Sequence, residues 1–176
     1  MEIREIKEES DVMQILEAIN EEAIPEDERC ALSDMIATGA EVLCIGVDQE
    51  PVGFMAVRRY RDLVYLAYFA VRADLRSKGI GGEALRELIR RNPGRQIILE
   101  YEAPEINGKI SSMRLRRKRF YLRNGFHETG WYTCYDNTEF EICCSREDFD
   151  SEGFMAFAAE LTKVVSDHIP NPFRKQ

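Results

Sequence analysis

The sequence predicts a mixed α/β domain, an α+β arrangement in which an antiparallel meander is followed by a βαβ crossover with flanking helices. Three observations carry this. Short apolar or alternating runs separated by polar turns fill residues 41–71. A strand, a glycine-bearing loop, a helix and a second strand then follow in order over residues 63–102. Apolar residues at helical spacing stand at both ends of the chain. The length, 176 residues, suits one domain spanning 1–176, and no repeat, low-complexity stretch or linker divides it.

Taken in order, residues 2–6 read as a short first strand. Ser10-Asp11 starts a helix running to Ala23, with Val12, Ile15, Leu16, Ile19 and Ala23 on one face. Pro25 interrupts it. A second helix is expected over 26–37, ended by Gly39. Residues 41–47 form the next strand, Asp48-Gln49-Glu50 a turn, residues 51–58 a strand, and Tyr60-Arg61-Asp62 another turn. Residues 63–71 are apolar on both faces and rich in β-branched and aromatic side chains, which suits a central strand. A polar loop, 72–78, leads to Gly79-Ile80-Gly81-Gly82 and a helix carrying Ala84, Leu85, Leu88 and Ile89, stopped by Asn92-Pro93-Gly94. Residues 96–102 form the strand that closes a right-handed crossover, parallel to 63–71. A helix over 111–124 closed by Gly125, strands over 126–135 and 139–145 around Asp136-Asn137-Thr138, and a last helix over 151–167 complete the chain.

Composition excludes several classes. The longest fully apolar run is nine residues, residues 63–71, against the roughly 20 needed to span a bilayer, and no signal peptide follows Met1. The net charge of −8 counts against a general nucleic-acid binder. The five cysteines are odd in number and include no CxxC, which fits reduced thiols in a cytoplasm. With only His127 and His168 present and no ligand spacing, no metal is expected.

The loop 72–82 opens directly onto a helix. A helix N-terminus presents unsatisfied N–H donors and the positive end of the dipole. Glycines allow close backbone approach, and Arg76 and Lys78 add charge at the mouth. Together these make a pyrophosphate cradle. Two rival phosphate loops fit less well. Gly79-x-Gly81-x-x-Ala84, with Glu100 about 20 residues on, matches the dinucleotide fingerprint. Seven residues separate Val71 from Gly79, however, where a dinucleotide loop turns at once, and a second βαβ half is missing. No Gly-Lys-Ser/Thr is present for a Walker loop.

The segment from Val71 to Gly81, with Arg76-x-x-Gly79-x-Gly81, resembles the acyl-CoA motif of the GNAT-superfamily N-acetyltransferases. Phe120-Tyr121-Leu122-Arg123-Asn124-Gly125-Phe126 resembles that family's second motif. The resemblance covers roughly residues 41–145. It implies that the amides of Arg76, Ser77, Lys78, Gly79, Ile80, Gly81 and Gly82 hold the CoA pyrophosphate. It also implies a bulge in the 63–71 strand, where the main chain near Phe69, Ala70 and Val71 pairs with pantetheine and polarises the thioester carbonyl. Acetyl-CoA would be the acyl-donor cosubstrate. The reaction implied is transfer of acetyl to a primary amine by direct attack in a ternary complex. A non-catalytic acyl-CoA-binding module is the alternative.

Such a reaction needs a deprotonated amine, a donor for the developing oxyanion and a proton for the departing thiolate. Tyr121 matches the family's general-acid tyrosine, against simple packing beside Phe120. Glu100 and Glu102, two apart at the end of a strand, are the base candidates, against solvated strand-end charge. Tyr65, Tyr68 and His127 are weaker candidates. Residues 109–123 carry +7 and no acid, leaving −15 elsewhere. That segment is read as a solvated face, as a contact for the CoA 3′-phosphate, or as a surface for another anionic partner. The acceptor is expected to be a small-molecule or protein amine, the acidic chain mildly favouring a cationic one. The apolar last helix suits a core or a homodimer interface equally.

Overall fold

The computed structural model describes residues 1–7, 10–26, 28–106, 108–165 and 169–175. The fold is mixed α/β, with antiparallel strand pairs and flanking helices, and it divides into two compact units. One comprises Met1–Arg59 and Tyr65–Arg91, the other Tyr60–Val64 and Asn92–Gln176.

The first unit begins with β1 (Glu2–Ile6) and α1 (Asp11–Ala23). The Ser10 side chain accepts from the N–H of Met13 at 3.3 Å, the cap expected from Ser10-Asp11. The buried face of α1 is Met13, Leu16, Ile19 and Asn20; Ile15, placed on that face from spacing, is 41% exposed. Helix α2 is shorter than predicted, Leu32–Ala37 rather than 26–37. Ala31 is extended, and the cap comes from far away in sequence. Glu17 Oε1 accepts from the Leu32 N–H at 2.6 Å, so α1 fixes where α2 starts.

Strands β2 (Glu41–Val47), β3 (Glu50–Tyr60) and β4 (Leu63–Val71, its first two residues counted with the second unit) follow, in the order β1-β2-β3-β4. The β2–β3 hairpin turns on two residues, Asp48 and Gln49, both at positive φ, so Glu50 belongs to the strand and not to the turn. Gly53 lets β3 and β4 approach closely: a Cβ there would lie 2.5 Å from the Ala70 carbonyl oxygen. Leu16, Leu32, Val42, Phe54 and Ala56 are fully buried between α1, α2 and the strands. Helix α3 (Ile80–Arg90) buries Gly82, Ala84, Leu85 and Leu88.

The second unit holds β5 (Gln96–Glu102), a small unpredicted hairpin β6 (Glu105–Ile106) and β7 (Lys109–Ile110), and α4 (Ser112–Arg123). Next come β8 (His127–Tyr135), β9 (Thr138–Cys144), α5 (Ser151–Leu161) and β10 (Phe173–Arg174). Its strand order is β5-β9-β8-β10. Asp136 and Asn137, both at positive φ, make another two-residue hairpin turn. α5 is capped by Asp150, which accepts from the Gly153 N–H, and ends at Leu161 rather than 167. Residues 166 and 167 of the predicted helix, and His168 after them, lie outside the described residues. β10 adds to the edge of β8, with the Arg174 guanidinium over Trp131 and the Lys175 ammonium over Tyr132.

Candidate functional site

The predicted cosubstrate-binding residues belong to the first unit. After Val71 the chain makes a single 3-10 turn, Ala73–Leu75, in which the Arg72 guanidinium pairs with Asp74 at 2.7 Å. Arg76 does not simply point into solvent: its Nε donates to the Val71 carbonyl at 3.0 Å, tying the loop to the end of β4. Ser77 (φ 64°) and Gly79 (φ 89°) are both left-handed. Alternation of this kind turns successive N–H groups toward one side, the geometry of an anion nest. Gly79 is the N-cap of α3, and no side chain caps this helix. The first helical bond runs from the Glu83 N–H to the Gly79 carbonyl at 3.0 Å. The N–H groups of Ile80, Gly81 and Gly82 precede it, so they have no intrahelical acceptor. A Cβ on Gly79 would meet nothing within 4 Å, so this face is open. Elsewhere Ser10, Ser111 and Asp150 cap their helices with side chains. The residues present therefore fit a diphosphate: exposed amides, a dipole end, and Lys78 exposed beside them. At the end of β4, Ala70 is buried and Phe69 and Val71 are half-buried. The Ala70 carbonyl and Val71 Cα lie against Gly53.

The acid–base candidates belong to the second unit. Tyr121, half-buried in the last turn of α4, stacks on Tyr101 with ring centroids 5.7 Å apart and planes at 14°. Its edges meet Phe120 and Phe126 at 5.3 and 6.0 Å. The Tyr121 carbonyl accepts from the N–H groups of Asn124 and Phe126 around left-handed Gly125, which fixes the backbone carrying the ring. Burial, partly opposed by the Arg117 charge, pushes the phenol up to about 12. Its hydroxyl has no hydrogen-bond partner among the described residues and is a protonated donor at neutral pH. Tyr101 differs. Its hydroxyl donates to Glu141 Oε2 at 2.9 Å and accepts from the Cys143 thiol, and burial drives it far above the ordinary phenol value.

The two-residue spacing does not give Glu100 and Glu102 common partners. Glu100 accepts from the hydroxyls of Thr133 and Tyr135 on β8, the latter at 3.1 Å. Glu102 binds Arg114 through one oxygen and Arg117, at 3.2 Å, through the other. Its carboxylate anchors α4 to the end of β5.

The basic segment also divides. Arg114, Arg117 and Lys118 meet Glu102, Glu128 and Glu141, whereas Arg116, Arg119 and Arg123 stand exposed on the opposite face. Three features escaped the sequence reading: Gly53, Arg58 and the Tyr101–Glu141–Lys118 network. A glycine inside a strand was the available signal for the first. Among the described residues no helix is long and apolar enough to cross a membrane, and no group of three His, Cys, Asp or Glu is placed to hold a metal.

Comparison with known proteins bears on the family and the fold. The acetyltransferase (GNAT) domain family matches residues 38–128, just over half the chain. The chain belongs to the GNAT acetyltransferase family. No curated protein matches it. Among solved structures, a Bacteroides thetaiotaomicron protein described as a GNAT-family acetyltransferase superposes with a TM-score of 0.74 at 24% identity, over 93% of this chain and 97% of that one. A Bacillus subtilis acetyltransferase in complex with CoA gives 0.59 at 16% identity, over 81% and 95%. The aminoglycoside 6′-N-acetyltransferase of Enterococcus faecium gives 0.65 at 16% identity, over 85% and 100%. At these identities the likeness establishes a shared fold.

Proposed function

We propose that this protein transfers acetyl from acetyl-CoA to a primary amine of a small-molecule or protein acceptor, by direct attack in a ternary complex, in the cytoplasm. The observation that carries the reading is the glycine-capped start of α3, whose amides have neither side-chain nor intrahelical acceptors. Family membership supports the same cosubstrate. Five free thiols suit a reducing compartment.

The thioester supplies an activated acyl carbon. The chain's own residues do the rest. The amides of residues 76–82 hold the diphosphate, and the main chain at Phe69, Ala70 and Val71 orients the pantetheine arm and donates to the carbonyl oxygen as charge develops there. The amine attacks as the free base, and Glu100 receives its proton directly or through water. As the C–S bond breaks, the Tyr121 hydroxyl stabilises and protonates the leaving sulfur. Glu102, committed to two arginines, has a positioning role in this scheme.

The test is thiol release from acetyl-CoA with a panel of amines, read beside CoA binding. Amine-dependent release supports transfer. CoA binding with no release for any amine would assign the chain to acyl-CoA binding without catalysis.

A further inference from the structure

Arg58, on β3, is half-buried, and its guanidinium donates to the Thr38 carbonyl and to Thr38 Oγ1, both neutral acceptors. A guanidinium has five N–H donors, so this leaves capacity unused. Among the described residues no carboxylate lies within ion-pair distance of it. The contrast with its neighbours is direct: Arg59 pairs with Glu41, Arg72 with Asp74, and Arg90 and Arg91 with Glu87. The chain has 32 acidic residues and a net charge of −8, yet none of the described ones reaches this partly desolvated cation. The groups that face it electrostatically are the Cys30 thiol and the Tyr65 and Tyr68 phenols, none of them a carboxylate, and burial lowers its proton affinity. A charge removed from water and left without a counter-charge is costly, and an incoming anion relieves that cost.

Its place on the sheet gives this a direction. The Arg72 N–H donates to the Val52 carbonyl, and Gly53 lies against Ala70 and Val71, which sets β3 antiparallel beside β4. Counting from that pairing, Arg58 stands at the level of Leu66. That is three to four residues from Phe69 and Ala70, or roughly 10–13 Å along the strand. An Arg side chain spans part of that distance.

We infer that Arg58 is a specificity residue that binds an anionic group of the acceptor, so that the preferred substrate is an amine carrying a carboxylate several bonds from its nitrogen. This rests on the proposed acetyl transfer for its biological meaning, and it adds an anionic group to the cationic amine that net charge mildly favours.

The test compares 6-aminohexanoate, its methyl ester and hexylamine, titrated calorimetrically into the protein with and without CoA. The acid is expected to bind at least about tenfold more tightly than either neutral-tailed amine, the scale of a charge-assisted hydrogen bond. Arg58→Gln should erase that ratio and leave hexylamine and CoA binding unchanged. Arg58→Lys, which keeps the charge and loses the fork, should retain part of it. 6-Phosphonohexylamine reports whether the site takes anions generally; tighter binding than hexylamine that depends on Arg58 supports the inference. Equal binding of acid, ester and hexylamine, or a ratio unchanged in both Arg58 variants, overturns it. Because the ratio is read without turnover, loss of CoA binding would defeat the proposed function and leave this result standing. If Arg58→Gln does not fold for want of the Thr38 contact, Arg58→Lys alone decides by whether the ratio falls.

Discussion

Gly53→Ala is the most informative small perturbation of β4, the strand proposed to orient the thioester. The added Cβ would sit 2.5 Å from the Ala70 carbonyl oxygen, 3.2 Å from Val71 Cα and 3.4 Å from the Ala70 carbonyl carbon. All three are backbone atoms, so no rotamer change relieves the contact. Restoring ordinary contact at 3.4 Å requires β4 to move by about 0.9 Å at residue 70. Overpacking of this kind costs about 1–3 kcal/mol, and each kcal/mol lowers Tm by about 2–4 °C at this chain length. Misplacement by about 1 Å at a reacting centre costs up to about 100-fold in rate. The assay is a thermal melt beside acetyl-CoA kinetics. The expected result is a lower Tm and a drop in kcat/KM larger than the stability loss explains. Gly46→Ala is the control, since its nearest atom would be 3.7 Å away. If Gly53→Ala melts and turns over like the wild type, the close approach of β3 to β4 is wrong.

Other perturbations test other parts of the account. Tyr121→Phe should lower kcat by about 10²-fold or more while leaving the KM for acetyl-CoA unchanged. With the phenol pushed up to about 12, wild-type kcat should show no alkaline limb near 10 that Tyr121→Phe removes. Burial raises the Cys143 and Cys144 thiols to about 12 and about 11 from 9.0. A raised value gives stability that is whole below pH 9 and is lost as pH climbs toward 11–12, because the unfolded chain ionises first. Denaturant titrations should show Cys143→Ala flattening that decline by about 1.4 kcal/mol per pH unit. Ser10→Ala should cost about 1 kcal/mol in the same measurement, through loss of the bond to the Met13 N–H.

What the sequence made legible was what local chemistry encodes. The start of α1 is written in Ser10-Asp11, and the uncapped start of α3 is written as glycine, because Gly79 is left-handed. The strands at Glu41–Val47, Leu63–Val71 and Gln96–Glu102 lie where their apolar runs placed them. What stayed hidden depended on distant partners. α2 begins at Leu32 because Glu17, fifteen residues earlier, accepts its N–H. α1 turns Met13 inward and Ile15 outward because the packing partners, not the helical wheel alone, choose the face. Glu100 and Glu102 look equivalent at a spacing of two, yet Thr133 and Tyr135 take one and Arg114 and Arg117 the other. The edge strand Phe173–Arg174 has too little pattern to announce itself and exists because Trp131 and Tyr132 offer it ring faces.

The central claim is that the uncapped amides opening α3 bind the diphosphate of CoA. Calorimetric titration of CoA into the wild type and into Gly81→Glu tests it most directly, since the substitution sets a carboxylate among those amides. Saturable binding by the wild type, weakened at least about tenfold in a Gly81→Glu variant with an unchanged melting curve, is the predicted result. Equal affinity in the two proteins, or no heat from CoA with folded wild type, contradicts it.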